Sequence, residues 1–278
     1  MPRKILSHMP HTRIAVIGLG NIARQVLSQA HEAIVWGITR SGAFLHLPEG
    51  NMSSPDGWVV FLTSEPFRGP LTLNIDTHSR PWQGLSRGLP LKVDKDSLYF
   101  ESAGLTFCID ETATWAAPQR GEAASEQLDL RSVRMEDINR RILAAHPALA
   151  WEAENRTLEQ YLGLGEGLTP AGDDITIGFL LAANRWGDIL LPNQDVPAIN
   201  RAILDSASHK TSTLSANLIL CATQGQADER LILALDGMMT GRPDPETCAA
   251  YLLSWGSSSG AYAWKGMCLA MRAAISVV

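Results

Sequence analysis

Gly163-Leu-Gly165-Glu-Gly167-Leu-Thr169-Pro170-Ala-Gly172-Asp173-Asp174 runs directly into the apolar stretch Ile175-Thr-Ile-Gly-Phe-Leu-Leu-Ala-Ala183. Glycines without a Cβ let a backbone turn sharply and approach a neighbour closely. Thr169-Pro170 reads as an N-cap followed by proline at the first helical position. The apolar run then reads as a buried helix over 171–186. Such a corner presents N–H groups and a partial positive charge to whatever lies in front of it. Two adjacent carboxylates there add a proton acceptor or a metal ligand to the same place. Complementing the helix dipole explains one acid, but not two beside three closely spaced glycines.

Working outward from this corner, the chain changes texture once. Downstream, and back to about residue 129, apolar residues recur with helical spacing. The pattern predicts helices near 133–145, 152–162, 171–186, 196–206, 212–224, 227–239, 244–255 and 261–275, with Asp244-Pro-Glu-Thr as a cap region. Upstream, from about 34 to 115, the residues are β-branched and alternate. Ala33–Thr39 and Ala43–Leu47 flank a Ser41-Gly42 turn signal and read as a hairpin. Further strands are expected at Trp58–Thr63, Leu71–Asp76, Leu91–Asp94, Ser97–Glu101 and Leu105–Ile109. In Leu71–Asp76 the polar Thr72, Asn74 and Asp76 alternate with Leu71, Leu73 and Ile75, which predicts a sheet with one wet face. The expectation is an α+β protein: a β-rich N-terminal domain over 1–120 and a mainly helical domain over 121–278 that carries the glycine-rich motif.

Composition excludes several classes. Of the 278 residues, 45% are hydrophobic and 19% charged, as in an ordinary globular protein. The net charge of −6 and the lack of a Lys/Arg cluster argue against nucleic acid and anionic membrane as partners. No apolar run is long enough to span a bilayer, and the stretch from Met1 to Pro10 is too weakly apolar for a signal peptide, so a cytoplasmic location is expected. Cys108, Cys221, Cys248 and Cys268 make no C-x-x-C pair and read as small buried hydrophobes.

Arg13-Ile-Ala-Val-Ile-Gly18-Leu-Gly20-Asn-Ile-Ala23 matches the glycine pattern of a dinucleotide-binding turn. That motif also needs a second parallel strand ending in an acid. Here the next strand ends Gly37-Ile-Thr-Arg40 and turns into a hairpin, so an ordinary strand–turn–helix is the better reading.

Two more loops precede apolar helices. His209-Lys210-Thr211-Ser212-Thr213-Leu-Ser215-Ala-Asn217 crowds hydroxyls at a helix start. Any of Thr211, Ser212 or Thr213 suits a cap there, and Lys210 adds a point charge for an anion. Trp255-Gly256-Ser257-Ser258-Ser259-Gly260-Ala261 is a short glycine-flanked serine run that suits an anion nest or a plain helix–helix connection. All three loops lie before buried helices, so their N-termini are expected to converge on one pocket. No nucleophile elbow, Walker A or H-E-x-x-H pattern occurs.

Together these motifs resemble the AllH-type subunit family of oxamate carbamoyltransferase, formerly a domain-of-unknown-function family. Its G-x-G-x-G-L-T-P-x-G-D-D is matched at Gly163, Gly165, Gly167, Leu168, Thr169, Pro170, Gly172, Asp173 and Asp174. A downstream Thr-x-Leu-Ser-Ala element is matched in shortened form by Thr213-Leu214-Ser215-Ala216. Its G-x-[ST]-S-G-x-D is matched at Gly256, Ser258, Ser259 and Gly260, with Tyr262 where an Asp is usual. The resemblance covers roughly the last 130 residues. It implies carbamoyl transfer between carbamoyl phosphate and oxamate or oxalurate, in allantoin and purine breakdown. The implied partners are FdrA-type and AllG-type subunits, with homo-oligomer formation open.

The residues expected to act are Asp173, Asp174 and Thr169 in catalysis. Gly165, Gly167, Gly172, Lys210, Thr213, Ser215, Ser258, Ser259 and Gly260 are expected to bind a small anionic substrate. Backbone N–H groups of Gly165–Gly172 and Ser258–Gly260 would be the anion donors. Either aspartate would accept a proton from the amide nucleophile, or the pair would hold Mg²⁺ as the one cofactor this pattern allows. Two other readings share these residues: a non-catalytic small-molecule-binding or scaffolding subunit, and a metal-dependent hydrolase or lyase using Asp173 and Asp174.

Overall fold

The computed structural model describes residues 12–48, 56–76, 80–123, 128–149 and 157–275. The N-terminal stretch, His8, His11 and His78, and the front of the helix expected from 152, lie outside them. The chain forms two compact units, Met1–Trp115 and Ala116–Val278.

The first unit is a closed, barrel-like sheet. Its strands are β1 (Thr12–Gly20), β2 (Glu32–Ile38), β3 (Gly42–Leu47), β4 (Trp58–Thr63), β5 (Thr72–Ile75), β6 (Pro90–Asp94), β7 (Ser97–Phe100), β8 (Leu105–Cys108) and β9 (Thr114–Trp115). They pair in the order β5-β4-β3-β2-β6-β7-β8-β1-β9, and β1 also pairs with β5, which joins the ends. β2 and β3 form the expected antiparallel hairpin. Trp58, Leu62, Leu73, Leu98, Phe100 and Phe107 are buried, with the Phe100 and Phe107 rings edge to face at 5.5 Å. A register shift between Val16 and Gly18 leaves Ile17 exposed.

The wet face expected of Leu71–Asp76 is interrupted: Asp76 is exposed and Thr72 half-buried, but the position between them is not wet. Asn74 is buried, its amide donating to the carbonyls of Glu65 at 2.9 Å and Phe67 at 2.8 Å, while Thr72 donates to its Oδ1. A polar side chain at a strand position can staple a loop as well as face water, and alternation does not distinguish the two.

The dinucleotide pattern is likewise filled by the protein. After β1 comes the short helix α1 (Asn21–Leu27). The Ala23 N–H, which would face a phosphate, donates to the Pro70 carbonyl at 2.8 Å. A Cβ on Gly20 would stand 2.3 Å from the carbonyl oxygens of Gly69 and Pro70. The glycine is required by the backbone crossing it, not by a ligand.

The second unit is helical: α2 (Leu128–Ala145), α3 (Leu158–Tyr161), α4 (Ala171–Leu190), α5 (Val196–Lys210), α6 (Thr213–Ala222), α7 (Glu229–Thr240), α8 (Pro245–Leu253) and α9 (Ser259–Ile275). The α+β expectation holds. Asp244 caps α8, accepting the Thr247 N–H at 3.0 Å. Cys221, Cys248 and Cys268 are buried and free, and burial raises each thiol well above its ordinary range. Among the described residues no helix is long and apolar enough to cross a membrane.

The α4–α9 seam organises this unit. A Cβ on Gly178 would lie 1.8 Å from the Ala263 carbonyl oxygen, and one on Gly266 would lie 1.9 Å from that of Ile175. Glycine at these two positions lets the helix backbones touch. Their N-terminal ends therefore meet at one place.

Candidate functional site

At that end Thr169, just ahead of α4, has its hydroxyl 3.3 Å from that of Ser259, the first residue of α9. α6 joins them. Its N-cap Ser212 accepts the Ser215 N–H at 3.2 Å and donates to the Leu168 carbonyl at 3.1 Å. The N-termini of α4, α6 and α9 thus converge, as the three loops predict.

The loop over 163–168 is built on left-handed backbone at Gly163 (φ 76°), Gly165 (φ 112°) and Gly167 (φ 106°), a conformation that penalises any side chain. Gly163 also passes against the Lys210 carbonyl, where a Cβ would stand 2.2 Å away.

The two aspartates do different things. Asp173 is fully buried. Its Oδ1 accepts the Gly163 N–H at 2.7 Å, and its Oδ2 accepts the Thr211 hydroxyl. It ties the glycine loop to the start of α6. Asp174 is also buried, yet its Oδ1 has no hydrogen-bond partner. Burial pushes its carboxyl up from 3.8 to about 7; hydrogen bonds from Ser259 and Thr169 oppose the rise, and the charge of Asp173 adds to it. A carboxyl pushed up to about 7, with one oxygen lacking a partner, is suited to accept a proton.

Several expected roles change on this geometry. Thr169 is not the N-cap of α4. Pro170 occupies that position, and the Thr169 side chain turns to Ser259 and Asp174 instead. Gly172 and Gly260 do not offer anion donors, because their N–H groups donate to the carbonyls of Leu164 (2.8 Å) and Trp255 (3.0 Å). Their small size serves packing: a Cβ would stand 1.8 Å from the Tyr161 carbonyl oxygen at Gly172, and 1.8 Å from that of Leu252 at Gly260. Lys210 reaches back to the Glu159 carbonyl at 3.4 Å. Ser215 is fully buried with its Oγ unpartnered. Gly165 and Gly167 are exposed in the loop, and Thr213 and Ser258 are half-buried at their helix starts. Tyr262 is half-buried and donates its N–H to the Ser258 carbonyl.

As metal ligands the aspartates make a poor pair, since both oxygens of Asp173 already accept hydrogen bonds. Among the described residues no group of three or more His, Cys, Asp or Glu is placed to hold an ion.

Residues 161–271 match the family model of the oxamate carbamoyltransferase subunit AllH. The AllH segment contains all three loops, so the resemblance read from the motifs is borne out there. No curated protein and no solved structure matches the chain. Two features of the AllH segment escape motif reading. Lys265 is buried, and only its position as a lone charge in the run Ala261–Ala270 marks it. Arg230 is buried beside Asp228, and nothing in Asp228-Glu-Arg230 sets it apart from an ordinary helix start.

One outcome separates the aspartates. Asp173→Ala removes the acceptor for Gly163 and Thr211 and is expected to cost about 2–4 kcal/mol of stability, read from urea unfolding of the whole chain. Asp173→Asn, which keeps one oxygen, should cost less than half of that.

Proposed function

We propose that this chain is a subunit of a carbamoyltransferase that joins carbamoyl phosphate and oxamate, and that Asp174 is its proton acceptor. The observation that carries the reading is the unpartnered, buried oxygen of Asp174 where three helix N-termini meet. The amide nitrogen of oxamate attacks the carbamoyl carbon. The bond from that carbon to the phosphate oxygen breaks, and phosphate leaves with the electron pair. The proton lost by the amide nitrogen goes to Asp174 Oδ1. Hydroxyls of Thr169 and Ser259 hold the carboxylate in place for this transfer, which is orientation rather than chemistry. The fixed positive ends of α4, α6 and α9 favour the two anionic reactants in front of them.

Co-expression with FdrA-type and AllG-type subunits tests the reading. Purified together, the three chains are expected to convert carbamoyl phosphate and oxamate to oxalurate and phosphate, and omission of this chain to abolish the product. Full turnover by the other two alone would refute it.

A non-catalytic subunit is the second reading. It is favoured by Leu164 and Leu168, which are 42% and 46% exposed on the loop beside the site, where a partner chain would cover them. Under that reading the complex forms with this chain but turns over at the same rate when Asp174 is replaced.

A further inference from the structure

We infer that Arg230 is a positioning residue: its guanidinium fixes the loop between α8 and α9, and through that loop holds the Ser259 hydroxyl against Asp174. The side chain is 6% exposed. Its Nε and Nη2 fork onto the two carboxylate oxygens of Asp228, at 2.8 and 2.9 Å, and its Nη1 donates to the Ser254 carbonyl at 2.8 Å. Asp228 is itself fixed, because it caps α7 by accepting the Arg230 N–H at 2.9 Å. The Ser254 carbonyl is thus tied to the first turn of another helix.

From Ser254 only four residues lead to Ser259, and they have little freedom. The Gly260 N–H closes back onto the Trp255 carbonyl at 3.0 Å. Gly256 is left-handed (φ 67°), and a Cβ there would stand 3.0 Å from Ser259 Oγ. Gly260 itself lies against the Leu252 carbonyl. In so tight a segment a displacement at Ser254 is passed on to Ser259, whose hydroxyl stands 3.3 Å from that of Thr169 and, with it, favours the ionised Asp174 carboxylate. The task needs arginine, since three donors in fixed directions must serve one carboxylate and one carbonyl; a lysine ammonium does not reproduce that fork.

The inference rests on Asp174 as the centre of the site but not on the identity of the reaction, so its test reads a titration instead of turnover. The Asp174 carboxyl midpoint is measured by carbon-13 NMR in the full chain and in Arg230→Lys, Arg230→Gln and Ser259→Ala variants. Loss of the Ser259 hydrogen bond is expected to raise the midpoint by about one pH unit, a tenfold change in the ionisation constant. The Arg230 variants should raise it in the same direction, and should add nothing on the Ser259→Ala background. General loosening has the opposite sign: water entering the site would lower the midpoint. Arg185→Ala is the control for lost stability, because Arg185 forms a comparably buried fork with Asp236 near the other end of α4; it should leave the midpoint in place. An unchanged or lowered midpoint in folded Arg230 variants would overturn the inference, as would a further rise on the Ser259→Ala background. Failure of carbamoyl transfer would leave these titrations standing, so the two readings fail separately.

Discussion

On the proposed function, Asp174→Asn is expected to lower kcat for carbamoyl transfer in the assembled complex by about 10²–10⁴-fold, the usual contribution of a positioned general base. The amide keeps the shape and the hydroxyl contacts of the carboxylate but cannot take the proton. The same variant should change how stability depends on pH. The folded-state pKa of Asp174 is raised from 3.8 to about 7, so the folded protein holds this proton where the unfolded chain has lost it. Below about pH 4 both states are protonated and the contribution is fully present. As pH rises toward 7 the unfolded chain ionises first and stability drains away. Above about pH 7 both states are ionised and the loss is complete. At 1.36 kcal/mol per pKa unit the full change is on the order of 4 kcal/mol. Urea unfolding of the wild type and of Asp174→Asn between pH 4 and 8 reads it as a stability difference. That difference should move in favour of the variant across the interval and then level off. A constant difference would mean that Asp174 does not carry a depressed tendency to ionise, and the proton-transfer role would go with it.

The second large effect concerns the seam between α4 and α9. Gly178→Ala places a methyl group 1.8 Å from the Ala263 carbonyl oxygen, and Gly266→Ala places one 1.9 Å from that of Ile175. Both contacts are to backbone, which cannot rotate away, so the helices must separate. Overpacking of this kind costs about 1–3 kcal/mol and occasionally more, which outweighs the better helix propensity of alanine, about 1 kcal/mol. Separation would also draw Ser259 from Thr169 and Asp174, so turnover should fall together with stability. Gly187→Ala is the contrast. Its nearest neighbour would be a Val196 methyl at an ordinary 3.5 Å, and substitution there should be neutral or mildly stabilising. Thermal unfolding of the three variants decides the matter. Equal behaviour at all three positions would contradict the close approach.

The sequence carried the architecture well because its signals are local. Alternation and turn residues locate eight of the nine strands, and only the two-residue β9 offers too short a pattern to see. Helical spacing likewise locates the helices of the second unit. The convergence of three helix N-termini was legible for a similar reason, since each is announced by glycines or hydroxyls before an apolar run. What was not legible is which way each side chain turns. Asp173 and Asp174 are neighbours of one chemical type, and adjacent positions on a helix point about 100° apart. The choice of which one ties the loop and which keeps an unpartnered oxygen was made by Thr211 and Ser259, distant in sequence, together with the nearby Thr169. The same holds for Gly172 and Gly260, whose glycine signal was read as ligand approach when the approaching group is the protein's own carbonyl. Asn74 and Arg230 escape for a related reason: their side chains fold back onto neighbouring loops, Arg230 also reaching the Ser254 carbonyl, and spacing alone does not show where a polar side chain turns.

The pairing of β1 with β5 has one more consequence. Once the ends of a sheet are joined, its strands have no raw hydrogen-bonding margin for another polypeptide to extend, and among the described strands only the stub β9 has a neighbour on a single side. Fibril-like stacking and strand donation both need such a margin. A protein that grips this ring therefore finds little backbone to extend and meets mainly its side chains.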